Sequence, residues 1–202
     1  MLKKMTTLQF IKKSRPKLKQ GDVFYYLINN KYYLGTVLLT QLDRDIKDNT
    51  AIVVLLTNYS IEDIHDFSIE KLHKKIEELS LIAPPTLINK KAWNLGYFVN
   101  LTNVNYLNKE ILNLLRFECW DHLCDYQYNP SYNIPELKLF GSSGIYGYEG
   151  IEYIIQIGLG LFYDNNEKPY KYYEDSDFKK YIKNNKLPYW YYNAIGQTEI
   201  IP

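Results

Sequence analysis

The densest group of reactive side chains in this 202-residue sequence is CWDHLC, residues 119–124, which sets Cys119, His122 and Cys124 close together. A thiolate touching an imidazole is a nucleophile with its base, and cysteine beside histidine also opens many zinc sites. Zinc needs four ligands, and no second Cys or His pair follows, since His65 and His73 stand alone in the sequence. On a helix Cys119 and His122, at i and i+3, share a face. A helix end that buries Cys119 and Trp120 accounts for the same residues, because free cysteines are usually buried and inert. Ser142 and Ser143 lack the Gly-x-Ser-x-Gly elbow of a serine hydrolase. Asp43 with Asp45, and Glu62 with Asp63, lie in polar connecting segments that read as solvated, and the neighbours His65 and Asp66 are not expected to face one another.

The stretch GSSGIYGYEG, residues 141–150, raises the possibility of a phosphate cradle. The Lys-Ser/Thr of a Walker loop is absent after Gly150, the dinucleotide spacing is not met, and Glu149 would repel a phosphate. The glycines read instead as a turn-rich approach to an apolar run over 151–161, a strand or short helix. No catalytic residue, metal site or cofactor is assigned, and the chain is expected not to be an enzyme.

The elements that would position these residues begin with two extended runs, 23–28 and 32–40, joined by Asn29-Asn30, a pair that tolerates the positive φ of a tight hairpin. AIVVLL opens a third strand over 51–57, aliphatic on both faces and therefore central. A fourth is expected over 95–101. Ile69, Leu72, Ile76 and Leu79 repeat at helical spacing after Ser68, which can cap, so an amphipathic helix is expected over 68–80. A second helix is expected from about Asn108, turning Ile111, Leu114, Leu115 and Cys119 inward, and a third from about Asp175. The fold class these imply is α+β: a strongly bent antiparallel β-sheet or small barrel with a few peripheral helices.

Charge divides the chain. Residues 1–20 carry seven bases and no acid, while the remainder nets −6 and is most acidic after residue 116. The sequence accordingly divides into a basic arm over 1–13, a β-rich domain over 14–116 and an α/β extension over 117–202. The arm reads as a solvated leader, dispensable for partner binding, because its lysines are not interleaved with aromatics. An acidic body rich in tyrosine (21 residues) suits a basic protein partner better than nucleic acid. No secretory h-region or membrane-length apolar run is visible, so a soluble cytoplasmic protein is expected, with two cysteines compatible with a reducing compartment.

Arg15-Pro16-Lys17, then Gly21-Asp22-Val23-Phe24, the second-strand run Tyr33-Leu34-Gly35-Thr36-Val37, Pro84-Pro85 and Trp93-x-x-Gly96-Tyr97-Phe98 together resemble the Immunity protein 26 family over residues 14–100. The resemblance implies a predominantly β domain that binds and neutralises a bacterial polymorphic toxin, with no catalytic residues to transfer. The segment from Glu118 onward lies outside it. A Cys119/His122 enzyme and a small barrel that binds nucleic acid through the basic arm are the other classes the residues allow.

The partner surface is expected at YKYYEDSD, where Tyr170, Tyr172 and Tyr173 adjoin Glu174, Asp175 and Asp177: aromatic anchors beside charges that would steer a basic toxin. The same residues could also be a loop that caps the helix expected after them.

Overall fold

A computed structural model describes residues 8–40, 51–78, 80–83, 85–104, 112–113, 115–119, 122–127, 129–130, 139–142, 145–159 and 161. Among them β1 (Leu8–Gln9), β2 (Asp22–Ile28), β3 (Lys31–Leu39), β4 (Ile52–Ile61), β5 (Thr86–Ile88) and β6 (Val99–Asn103) form one antiparallel sheet. Its order is β1-β2-β3-β4-β5, and β6 shares the outer edge of β2 with β1, pairing at Asp22 to Tyr25 while β1 pairs at Leu27 and Ile28. Register shifts in the pairings β2/β6 and β3/β4 add local twist, and the sheet curls into a half-barrel. The fold is α+β and strand-rich, as expected.

The β2/β3 turn is the one the sequence specifies, with Asn29 and Asn30 both left-handed at φ 49° and 60°. β4 is central and buried on both sides. Ile52, Val54 and Leu56 join one apolar cluster with Phe24, Tyr26, Trp93 and Phe98, whereas Val53 and Leu55 join another with Leu34, Leu38, Leu72 and Phe117. It also runs on to Ile61, past the expected end, because Thr57 and Tyr59 keep alternating inward against β3.

Helix α1 (Ile69–Glu77) starts where its cap predicts, the Ser68 Oγ accepting the Lys71 N–H at 3.2 Å. Leu72 and Ile76 are buried under it, but Ile69 is 43% exposed rather than inward, and Leu79 lies outside the described residues. The strand expected over 95–101 is displaced. Lys91–Leu95 is a short helix, α2, stopped by Gly96 at φ 94°, a left-handed C-cap that a side chain would strain. β6 begins only after it. The helix expected from Asn108 is overturned in its second half. Residues 112–113 are helical, but Leu115–Cys119 is strand β7, in which Leu115 and Phe117 are buried with period two. β7 pairs antiparallel with β8 (His122–Cys124) and parallel with β9 (Leu139–Ser142) in a second sheet. The glycine-rich stretch covers the end of β9 and the first turn of α3 (Tyr148–Gly158), a helix that starts before the apolar run and buries Ile151 and Ile155 in the first cluster.

Part of the basic N-terminal segment is docked on the fold. Leu8 is buried, paired with Ile28, and its N–H donates to the Oε1 of buried Glu152 on α3 at 3.1 Å. The Ile11 and Lys12 N–H groups donate to the Gly96 carbonyl, and that of Ser14 to the Trp93 carbonyl, taking up the C-terminal acceptors of α2. Leu18 is buried, and the Lys19 N–H donates to Asp22 Oδ2 at 2.9 Å. Residues 8–19 are a strap clipped at both ends by buried carboxylates. No helix among the described residues is long and apolar enough to cross a membrane.

Candidate functional site

Several residues behind the sequence resemblance, among them Phe24, Val37, Trp93 and Phe98, lie far apart in the chain and meet on one face of the sheet, while Val23 and Leu34 face the other. Asp22 opens β2 and is 7% exposed. Its Oδ2 accepts from the Lys19 N–H and from Asn100 Nδ2 at 3.1 Å, and its Oδ1 from Asn103 Nδ2 at 2.7 Å. Asn100 Oδ1 in turn accepts the indole N–H of Trp93 at 2.8 Å. A buried carboxylate is costly unless its lone pairs are filled, and here a backbone amide and two side-chain amides fill them. Gly21, its neighbour, accepts the Val104 N–H at its carbonyl and donates to Val37.

Two residues further, Phe24 is stacked on Phe98 at 4.8 Å and meets Trp93 edge-on at 5.1 Å, while Trp93 and Phe98 meet edge-on at 5.1 Å. Offset and edge-to-face geometries of this kind are the favourable ones for aromatic rings. Gly35 on β3 is what lets Phe24 lie flat: a Cβ there would stand 2.5 Å from the ring and 2.9 Å from the Leu55 carbonyl oxygen. Tyr26 extends the group, 5.3 Å from Phe98 and stacked on Tyr33 at 5.8 Å. The short phrases around Gly21, Gly35 and Trp93 thus form one aromatic and hydrogen-bonded cluster. Among the described residues its carboxylate accepts three hydrogen bonds, which tie the start of β2 to β6 and to Lys19.

Tyr26 is fully buried, and among the described residues its hydroxyl has no hydrogen-bond partner. Burial, and secondarily Tyr33, pushes its pKa well above the ordinary phenol value; burial also raises Tyr33, and burial with Tyr32 raises Tyr25. Burial disfavours the ionised phenols, most of all at Tyr26, so this stabilisation is complete below pH ~10 and is lost as pH rises above it. Tyr26→Phe removes the unpartnered hydroxyl. It is expected to leave stability unchanged or raise it by up to about 2 kcal/mol, and to lessen the loss at alkaline pH. Urea unfolding at neutral pH and above pH ~10 measures both effects.

The structure brings Cys119 and His122 together by a different route from the one expected. They are Cα partners across the β7/β8 pair, flanking Trp120-Asp121, and not neighbours on a helix. Cys124 pairs with Phe117 and is a buried free cysteine in the second cluster, as usual for an inert thiol. Asp63 caps the turn Ile64–Asp66 by accepting the His65 N–H at 2.9 Å, and His73 pairs with Glu77 along α1 at 3.5 Å. Glu149, in the first turn of α3, accepts the Tyr148 hydroxyl. Among the described residues no group of three His, Cys, Asp or Glu is placed to hold a metal. Tyr170, Tyr172, Tyr173, Glu174, Asp175 and Asp177, and the helix expected from Asp175, lie outside the described residues.

Sequence reading missed the Asp22, Asn100 and Asn103 network. A buried acid at a strand start, with two asparagines three residues apart on another strand, is the signal that was there to find. Comparison with family models, curated proteins and solved structures gives no match to this chain.

Proposed function

We propose that the protein is an immunity protein that binds and neutralises a cognate bacterial polymorphic toxin in the cytoplasm, without cofactor or catalysis. One observation carries the reading. Of the residues that resemble the Immunity protein 26 family, Asp22, Phe24, Gly35, Trp93 and Phe98 come from separate parts of the sequence and pack together, while Val23 and Leu34 of the same phrases face the other cluster. A shared fold is expected to keep such residues at its packing centre. Neutralisation by burial of an interface then needs partner anchors and steering charge. Tyr170, Tyr172, Tyr173, Glu174, Asp175 and Asp177 supply both in sequence, for a toxin domain with a basic face.

The test is co-expression with the toxin domain encoded beside this chain's gene. Restored growth and co-elution of the two chains are expected, and undiminished toxicity sinks the reading. Replacing Glu174 and Asp177 by lysine is expected to weaken the complex by about 1–3 kcal/mol, mostly through slower association and less so in high salt. Unchanged association kinetics in a folded variant would move the interface elsewhere.

A further inference from the structure

We infer that the strap over residues 8–19 is a binding surface for the phosphate backbone of single-stranded nucleic acid, an activity separate from toxin neutralisation. Lys12, Lys13, Arg15, Lys17 and Lys19 are all exposed, while Ser14 and Pro16 are half-buried and Leu18 is buried. From Lys13 to Lys19 exposure therefore alternates, which turns four cations to the solvent side of the segment; two residues of extended chain span about 6.6 Å. That is a ladder suited to successive phosphates. Lys90 and Lys91, at the start of α2, add two more cations to the helix on which the strap lies.

These cations are held in place and are not neutralised. The backbone beneath them is fixed by the Leu8, Ile11, Lys12, Ser14 and Lys19 N–H groups, and among the described residues none of the seven side chains is in an ion pair with a carboxylate. The carboxylates that touch the strap, Asp22 and Glu152, are buried beneath it and hold its amides. Glu62, Asp63, Asp66, Glu70, Glu77 and Glu78 belong to the turn and helix that pack on the opposite face of the sheet. Among the described residues these six carboxylates lie away from the strap, whereas exposed Glu149 is on its side of the sheet, on the helix whose Tyr148 stacks on Tyr97; local charge distribution, more than net charge, governs electrostatic capture.

Phe10 supplies the aromatic that the lysine run lacks in sequence. It is 61% exposed at the head of the ladder, its ring seated over Gly96, where a Cβ would meet it. An exposed aromatic beside a line of cations is the combination that stacks a base while the backbone is neutralised. Lysine is depleted in protein interfaces, and five-residue α2 is too short to offer a membrane-inserting face, so a phosphodiester strand fits better than an acidic protein or a bilayer.

Fluorescence anisotropy of the full chain with a labelled single-stranded oligonucleotide of about 16 nucleotides tests this. Binding is expected at about 50 mM salt, falling with a log–log slope of about −3, four phosphates at about −0.7 each. The variant Lys13→Gln, Arg15→Gln, Lys17→Gln, Lys19→Gln should lose at least about tenfold in affinity and most of the slope, and Phe10→Ala should lose about tenfold through stacking alone. Thermal midpoints of both variants show whether the fold is kept. No binding by the wild-type chain at low salt, a slope near zero, or equal binding by the folded quadruple variant overturns the inference. Tighter binding to poly-glutamate, or to vesicles of equal parts phosphatidylcholine and phosphatidylglycerol, overturns it in favour of an acidic protein or a membrane. None of these outcomes bears on neutralisation of a toxin, which the co-expression assay reads separately.

Discussion

Trp93→Ala is expected to lower the unfolding free energy by about 3–5 kcal/mol, a large share of the about 5–15 kcal/mol that holds a typical domain together. Trp93 is fully buried and is in edge contact with Phe24 and Phe98. Its truncation removes the largest side chain of the first cluster and leaves a cavity between a short helix and the sheet. It also strands Asn100 Oδ1, the acceptor of the indole N–H, and through Asn100 it loosens a donor to Asp22. Trp93→Phe separates the two contributions: most of the apolar volume stays, the hydrogen bond goes, and a loss of about 1–2 kcal/mol is expected. Urea denaturation of the wild type and both variants measures the difference. A loss below about 1 kcal/mol for the alanine variant would show that the cluster relaxes around the gap and is not the packing centre of the fold.

What could be read ahead of the structure was whatever is encoded locally. Asn29-Asn30 names its turn because few residues accept two consecutive positive φ values, and Ser68 names its helix because its oxygen reaches an amide three residues on. AIVVLL names a central strand because no alternation of polar residues offers a wet face. The failures are nonlocal. Ile111, Leu114 and Leu115 fit a helical spacing and Leu115, Arg116 and Phe117 fit a strand; β8 and β9 decide for the strand at β7, from positions the local pattern does not contain. Helix α2 has five residues and no side-chain cap, too little periodicity to register. The strap read as a solvated leader because its anchors are backbone N–H groups, which leave no trace in side-chain pattern, and because one clip, Glu152, lies 144 residues from Leu8.

The same nonlocality makes Asp22 the second residue at which a small change should have a large effect. It is a nearly buried carboxylate whose three donors come from the strap and from β6, so it closes the junction between strap, first long strand and sheet edge. Asp22→Ala leaves the Lys19 N–H and the amide groups of Asn100 and Asn103 without their shared acceptor. The three donors are part-buried and the Asn103 amide also donates to the Gln20 carbonyl at 3.0 Å, so water and Gln20 rescue part of the loss and about 2–3 kcal/mol is expected. Asp22→Asn keeps the shape and one acceptor oxygen, which in the Oδ2 position still serves Lys19 and Asn100, while its new NH2 opposes the Asn103 amide. About 1 kcal/mol is expected there, less than the alanine cost. The Lys19 amide distinguishes a clamp from a mere packing residue. Its hydrogen exchange should quicken sharply in the alanine variant and little in the asparagine variant, because the donor is released only when the acceptor is gone. Equal costs for the two variants would mean that the charge rather than the acceptor count matters, and unchanged Lys19 exchange in the alanine variant would mean that Gly96, Trp93 and Glu152 hold the strap without Asp22.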